Sequence, residues 1–233
     1  MKKVLAAALI CTASSFAAWD YFPVIEHGKG EAKIGYSAYR QGSSGSGGLY
    51  EFKSRYSPVA NLELMSKYRG DARGNHVIGT RYQVVSILST GLDLGVPIPS
   101  TAWSLTPNIQ LSIPLTSVLT LGSNFETNFY TQETGNYTHG ADLSTGIELD
   151  LMVGKNLVWF STDINTGLTE TKRNGNKIKP KDEGRGPEIS PALGYVACLS
   201  NMSLGTNVGM AFGKDAGHDK FGTFIGMDFS VKF

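Results

Sequence analysis

At 233 residues the chain is long enough for one large domain. Glycine supplies 28 of those residues and charged side chains 18%, against usual values of ~7% and ~25%, which disfavours both a charged helical bundle and a disordered chain. The formal net charge of +1 becomes −1 without Lys2 and Lys3, a balance that gives no indication of nucleic-acid binding.

Met1-Lys2-Lys3, the apolar residues 4–11 and the small-residue stretch ending at Ala17 have the three zones of a secretory signal peptide, with cleavage expected after Ala17. Cys11 follows Ile10 rather than a small residue, which argues against lipidation. Cys198 is then the only cysteine of the mature chain, so no intramolecular disulfide is expected and its role is that of a small packing residue. Elsewhere no run reaches the ~18 apolar residues of a membrane helix. That leaves β-barrels open, because a barrel hides its apolar face in alternate positions.

A period of two is clearest at the C-terminus, where Phe221, Ile225, Met227, Phe229, Val231 and Phe233 alternate with Gly222, Gly226, Asp228, Ser230 and Lys232. The same split separates Leu143, Ile147, Leu149, Leu151 and Val153 from Asp142, Ser144, Gly146, Glu148 and Asp150, and it returns across residues 203–212. No long segment fits a 3.6-residue period better, so the chain reads as all-β. Strands are expected near 31–41, 49–57, 60–69, 76–86, 91–99, 104–115, 118–131, 141–153, 156–170, 187–199, 202–213 and 219–233, an even count of twelve. Connections alternate in length: longer ones at 42–48, 70–75, 132–140, 171–186 and 214–218, and tight turns at Pro58-Val59, 87–90, Thr116-Ser117, Gly154-Lys155 and Ser200-Asn201. Such sorting is expected of an antiparallel up-and-down barrel with short periplasmic turns and longer outer loops. Pro97 and Pro99 weaken the fifth strand, and ten strands with an irregular stretch at 91–103 is the alternative. Tyr36, Tyr50, Phe52, Tyr68, Phe129, Phe212 and Phe221 fall beside the outer loops, and Tyr56, Phe160, Phe229 and Phe233 near the opposite ends, as two interfacial girdles require.

The ending Ile225, Met227, Phe229, Val231 and Phe233 resembles the assembly signal of bacterial outer-membrane β-barrel proteins. Strand count and length are similar to the small twelve-stranded channels, such as the oligogalacturonate-specific porin family. The stretch from Leu62 through Gly79, Tyr82 and residues 91–99 resembles transporter barrels linked to phenol-degradation pathways. The resemblance implies export to the outer membrane of a Gram-negative bacterium. It also implies partners in outer-membrane lipid, lipopolysaccharide, the barrel assembly machinery and a small solute, with no cofactor and no metal.

Twelve strands should enclose a narrow or plugged lumen. Residues 18–30 are too short for a folded plug, although Trp19, Tyr21 and Phe22 are placed to tuck into the periplasmic mouth. On the inward parity, the first four strands carry Lys33, Lys53, Arg55, Lys67, Arg69 and Arg81 with Glu31, Glu51 and Glu63 among them. Strands five to nine carry Asp93, Glu126, Asp142, Glu148, Asp150 and Asp163 with no Lys or Arg. Because consecutive strands are neighbours, the two sets are expected on opposing arcs, giving a charged channel for small polar or hydrophobic solutes with a field across it. Paired, closing charges in a structural barrel are the alternative.

An enzyme is the weaker reading. His27, His76, His139 and His218 are the histidines, and His76 lies on lipid-facing parity near Asp71 and Asn75 with no serine placed as a nucleophile by any motif. His139 and His218 sit in different loops without further ligands at metal spacing. The loop at 171–186 is basic, through Lys172, Arg173, Lys177, Lys179, Lys181 and Arg185, and reads as a solvated surface that also suits lipopolysaccharide. Arg69-Gly70-Asp71 spells an adhesion tripeptide, which is too short to carry weight.

Overall fold

Burial alternates without a break along residues 104–112: Ser104, Thr106, Asn108, Gln110 and Ser112 are buried while Leu105, Pro107, Ile109 and Leu111 are exposed. That inverts the pattern of a soluble strand, and it fits a wall with an apolar medium outside and a polar interior. The computed structural model describes residues 24–41, 46–70, 75–97, 103–131, 137–138, 140–183, 185–215 and 218–233. The expected signal peptide and Trp19, Tyr21 and Phe22 lie outside the described residues.

In chain order the strands are β1 (Gly30–Gln41), β2 (Ser46–Val59), β3 (Leu62–Gly70), β4 (Asn75–Val85), β5 (Leu88–Pro97), β6 (Ser104–Pro114), β7 (Leu119–Tyr130), β8 (Tyr137–Thr138), β9 (Asp142–Val153), β10 (Asn156–Gly167), β11 (Thr171–Arg173), β12 (Asn176–Ile178), β13 (Glu188–Leu199), β14 (Met202–Asp215) and β15 (His218–Lys232). Twelve of them form one closed antiparallel barrel, while β8, β11 and β12 make a separate three-stranded sheet. Closure comes where β1 meets β15, from Glu31 opposite Lys232 to Gln41 opposite Gly222. Reciprocal bonds between Gly30 and Phe233, at 2.8 and 3.0 Å, tie the ends together. The Phe233 ring lies over Gly30, where a Cβ would come within 2.2 Å of it.

The fifth strand is a full member of the wall. β5 pairs with β4 from Val85 opposite Leu88 to Asn75 opposite Pro97, and with β6 along its other edge. Pro97 is its last residue, where the missing N–H costs no interior ladder bond, so the ten-strand alternative fails. Pro99 lies outside the described residues. Two turns fall later or earlier than expected. Pro58 stays inside β2 at a register shift between Tyr56 and Val59, and the turn comes at Ala60-Asn61, with Asn61 at φ 65°. After β4 the turn is Ser86-Ile87. A bulge absorbs a proline that a regular ladder would reject.

All tight turns share an end with both termini, here the terminal end, and the longer connections share the opposite loop end. Among those, 131–141 and 168–187 are long, whereas 42–45 and 216–217 are shorter than expected because β2, β14 and β15 extend farther. The exterior is apolar: Ile34, Leu64, Ile78, Leu149, Leu193, Leu204 and Ile225 are among its exposed residues. Of the terminal assembly residues, Ile225, Met227, Phe229 and Phe233 are exposed and Val231 is half-buried. Both expected groups of aromatics are exposed on this surface. Register pairs Tyr36 with Tyr50 and Phe212 with Phe221, their ring centroids 4.8 and 5.4 Å apart.

Replacing outward-facing Leu149 by Arg should cost ~2–4 kcal/mol near the bilayer midplane. Equilibrium unfolding from lipid vesicles measures it, and an exposed loop change such as Lys172→Ala should leave stability unchanged.

Candidate functional site: the charged interior

The interior wall is built by the residues of one parity on every strand. Lys33, Lys53 and Lys67 face inward half-buried, Arg55 and Arg81 are 2% exposed, and Arg69 is exposed near the loop end of β3. On the other strands Asp93, Glu148 and Asp150 are buried, and Glu126, Asp142 and Asp163 are half-buried. Register sets Lys33 opposite Lys53 and Lys53 opposite Lys67, a row of three ammonium groups across β1, β2 and β3. Like charges directly opposite are unfavourable. Carboxylates interleave with them: Lys33 Nζ is 3.1 Å from Asp228, and Lys53 Nζ is 3.0 Å from Glu51.

Toward the terminal end the pairing becomes tighter and drier. Arg55 donates from Nε and Nη2 to Glu31 Oε2 at 3.1 and 2.7 Å, and its Nη1 lies 3.6 Å from Glu63. Arg81 reaches Asp93 at 3.4 Å and the Met65 thioether. The Ile25 amide donates to Glu63 Oε2 at 3.1 Å, so the segment before β1 reaches the same carboxylate. That segment is fixed by Gly28 N–H to the Ser57 carbonyl and Ser57 N–H to the Lys29 carbonyl, at 2.8 and 3.0 Å. On the opposite wall Leu157 faces Val196, both buried, with Met152, Trp159 and Cys198 packed against them. Trp159 lies across Gly194, where a Cβ would come within 2.2 Å of the indole. Cys198 is a free, half-buried packing residue.

This geometry changes the picture of two opposing arcs. Lys33, Lys53, Arg55 and Arg81 each have a carboxylate within 4 Å on their own or an adjacent strand. These four cations are therefore neutralised locally, and any field across the lumen is smaller than the number of cations in the arc implies.

At the loop end Arg185 turns back from its loop into the mouth. Its guanidinium donates to Asp142 Oδ1 at 2.6 and 2.9 Å, to the Ala141 and Thr169 carbonyls at 3.0 and 3.3 Å, and to the Thr171 hydroxyl at 2.7 Å. Beside it opens a cavity of about 340 Å³ lined by Tyr130, Asp142, Asn165, Arg185 and Glu188 among others. The expected solvated loop is thus part of a small structure: β11 pairs with β12, and with β8 through Lys172 opposite Thr138. Lys172, Arg173, Lys177, Lys179 and Lys181 remain exposed. Nothing in the spacing of these basic residues distinguishes Arg185. Glu188, Asp228 and Lys232 are further inward-facing charges, and for these the parity rule would have sufficed.

His27 is exposed, and His76 shares a hydrogen bond of 2.8 Å with Ser66 on the outward parity. Asp71 and His139 lie outside the described residues, as do the side chains of Asn75 and His218. Among the described residues no three His, Cys, Asp or Glu converge as metal ligands.

No protein-family model matches the chain, and no curated protein sequence matches it. Solved structures do. A KdgM porin in complex with disordered oligogalacturonate superposes with a TM-score of 0.60 at 12% identity, covering 86% of this chain and 99% of the porin. The NanC porin gives 0.52 at 11% identity over 83% and 98% of the two chains. LpxR from Salmonella typhimurium gives 0.52 at 9% identity over 86% and 99%. At such identities the likeness concerns the fold: this chain is a closed twelve-stranded antiparallel β-barrel of the outer-membrane kind, built like the small porins.

Proposed function

We propose that this protein is an outer-membrane channel that passes small polar solutes through a narrow charged lumen. The observation that carries the reading is the inversion of polarity across a closed wall, with an apolar exterior and an interior lined by charged and amide side chains. A bilayer accommodates the first, and hydrated solutes suit the second. Residues 1–17 supply the export signal and the β15 ending the contact for the assembly machinery. The exposed lysines of the β11–β12 loop suit the phosphates of lipopolysaccharide.

Passage divides into two stages. At the loop end a solute meets Glu126, Asp142, Asp163 and Glu188, with Arg185 holding the loop aside against Asp142. Farther in it meets the lysine row and then the ion-paired layer of Glu31, Arg55, Glu63, Arg81 and Asp93. Pairing leaves that layer little net charge, which favours small dipolar solutes over strongly charged ones. The neighbours include porins, LpxR and a bacterial polysaccharide outer membrane secretin, and the polar interior supports the porin-like reading.

A closed structural barrel is the second reading, and one observation favours it. Arg55, Arg81, Glu31 and Glu63 are each at most 2% exposed, and the Ile25 segment adds to the same layer.

Single-channel recording of the refolded mature protein in a planar bilayer tests the two. Discrete openings, with a cation preference that falls in a Glu126→Gln, Asp163→Asn, Glu188→Gln variant, are expected; a folded but silent barrel would establish the closed reading. The ion-paired layer has its own test. Arg55→Met should destabilise the barrel by ~3–5 kcal/mol by leaving buried carboxylates uncompensated. Adding Glu31→Gln and Glu63→Gln should restore much of that in urea unfolding.

A further inference from the structure

The chain ahead of β1 turns back into the barrel. The Lys29 N–H donates to the Glu26 carbonyl at 3.1 Å and Gly28 takes a left-handed φ of 73°, so the backbone reverses just before the first strand. Two bonds with Ser57, from the Gly28 N–H and to the Lys29 carbonyl, pin the base of that turn to β2. Beyond the turn the Ile25 amide donates to Glu63 Oε2 at 3.1 Å. Glu63 belongs to β3, which β2 separates from β1, and its side chain faces the interior. To reach it, residues 24–26 cross the terminal mouth.

The segment covers the driest part of the lumen. Glu31 and Glu63 are each the second residue of their strands, so the terminal end of the wall is only a residue away. They are nevertheless 1% and 2% exposed, and Arg55 between them is 2% exposed. Cover from the terminal side is needed for such burial, and Val24 and Ile25, both half-buried, contribute it.

This cover is held more weakly than the wall it closes. Among the described residues, its bond to the wall beyond the turn is the one from Ile25 to Glu63, whereas β1 is laddered to β15 from Glu31 to Gln41. Water entering from the mouth can replace the Ile25 amide as a donor to Glu63, so withdrawal leaves no carboxylate stranded. Gly28 provides a hinge: no atom lies within 4 Å of the place a Cβ would take, and glycine has free access to both signs of φ.

We propose that Val24, Ile25 and Glu26 form a movable stopper that swings about Gly28 and shuts the terminal mouth from within the same chain. The inference deepens the channel reading and rests on it: the buried ion-paired layer belongs to the shut state, and solutes pass when the stopper is withdrawn. A segment with few bonds ahead of a fully laddered strand is the part of the molecule that opens at least cost.

Single-channel recording on the refolded mature protein compares the wild type with Ile25→Pro, which deletes the N–H that Glu63 accepts, and with a variant lacking residues 24–26. Open probability should rise about fivefold or more in both, and far less in Ile25→Ala, which keeps the amide. Equal open probability in the wild type and both variants would overturn the stopper and leave the channel standing. Silence in all of them, with every barrel folded by circular dichroism and heat-dependent gel mobility, would overturn both. Hydrogen–deuterium exchange on the wild type needs neither conduction nor a variant. The Ile25 amide should exchange about a hundredfold faster than the Gly30 amide, which is bonded to the Phe233 carbonyl. Equal protection of the two amides would mean a fixed segment and overturn the proposal.

Discussion

Everything in this molecule depends on the ladder that joins its first strand to its last. In an apolar surround an unpaired strand edge exposes N–H and C=O groups that nothing else satisfies. The β1–β15 seam removes the last such edge, and the Gly30–Phe233 bonds carry pairing to the final residue. Once the circle is closed, each strand has one face inside and one outside, and a one-residue slip anywhere would exchange lipid-compatible and polar side chains. The smallness of Gly30 and Gly194 follows from the same closure: each lies beneath an aromatic ring that fills space at the terminal end.

Closure also gathers more charge than a protein interior ordinarily tolerates. Lys33, Lys53, Arg55 and Arg81 are met by carboxylates on their own or a neighbouring strand rather than across the lumen. Glu31 and Glu63 flank Arg55, and Asp93 meets Arg81. Buried pairs of this kind add little to stability compared with apolar packing of the same volume, since desolvation offsets their attraction. A polar lining therefore speaks more for what the interior must accommodate than for how the barrel stays folded, which rests on the ladder and the outer apolar belt.

Much of this architecture is legible in the sequence because a barrel strand has a strict period of two. Leu149 and Glu148 declare opposite sides of the wall by adjacency alone, and inward positions such as Lys53, Arg81 and Asp150 follow by counting. Ends of strands are less legible. Pro58 reads as a turn residue because prolines usually are, yet a bulge lets β2 run on to Val59. Pro97 reads as a strand breaker and is a strand terminus. Pairing partners are the least legible feature, since Lys33 finds Asp228 at the far end of the chain only once the barrel is closed. Arg185 belongs to that class too: five other basic residues share its loop, and only folding selects it for Asp142.

The Arg185 fastening separates position from surface in the long loop. One side chain, bound to Asp142, Thr171 and the Ala141 and Thr169 carbonyls, decides where the loop meets the barrel, while the β11–β12 hairpin beyond it projects exposed lysines. The hairpin is thereby released from structural duty. Changes at its exposed residues would leave the Arg185 contacts, and with them the rim of the lumen, in place.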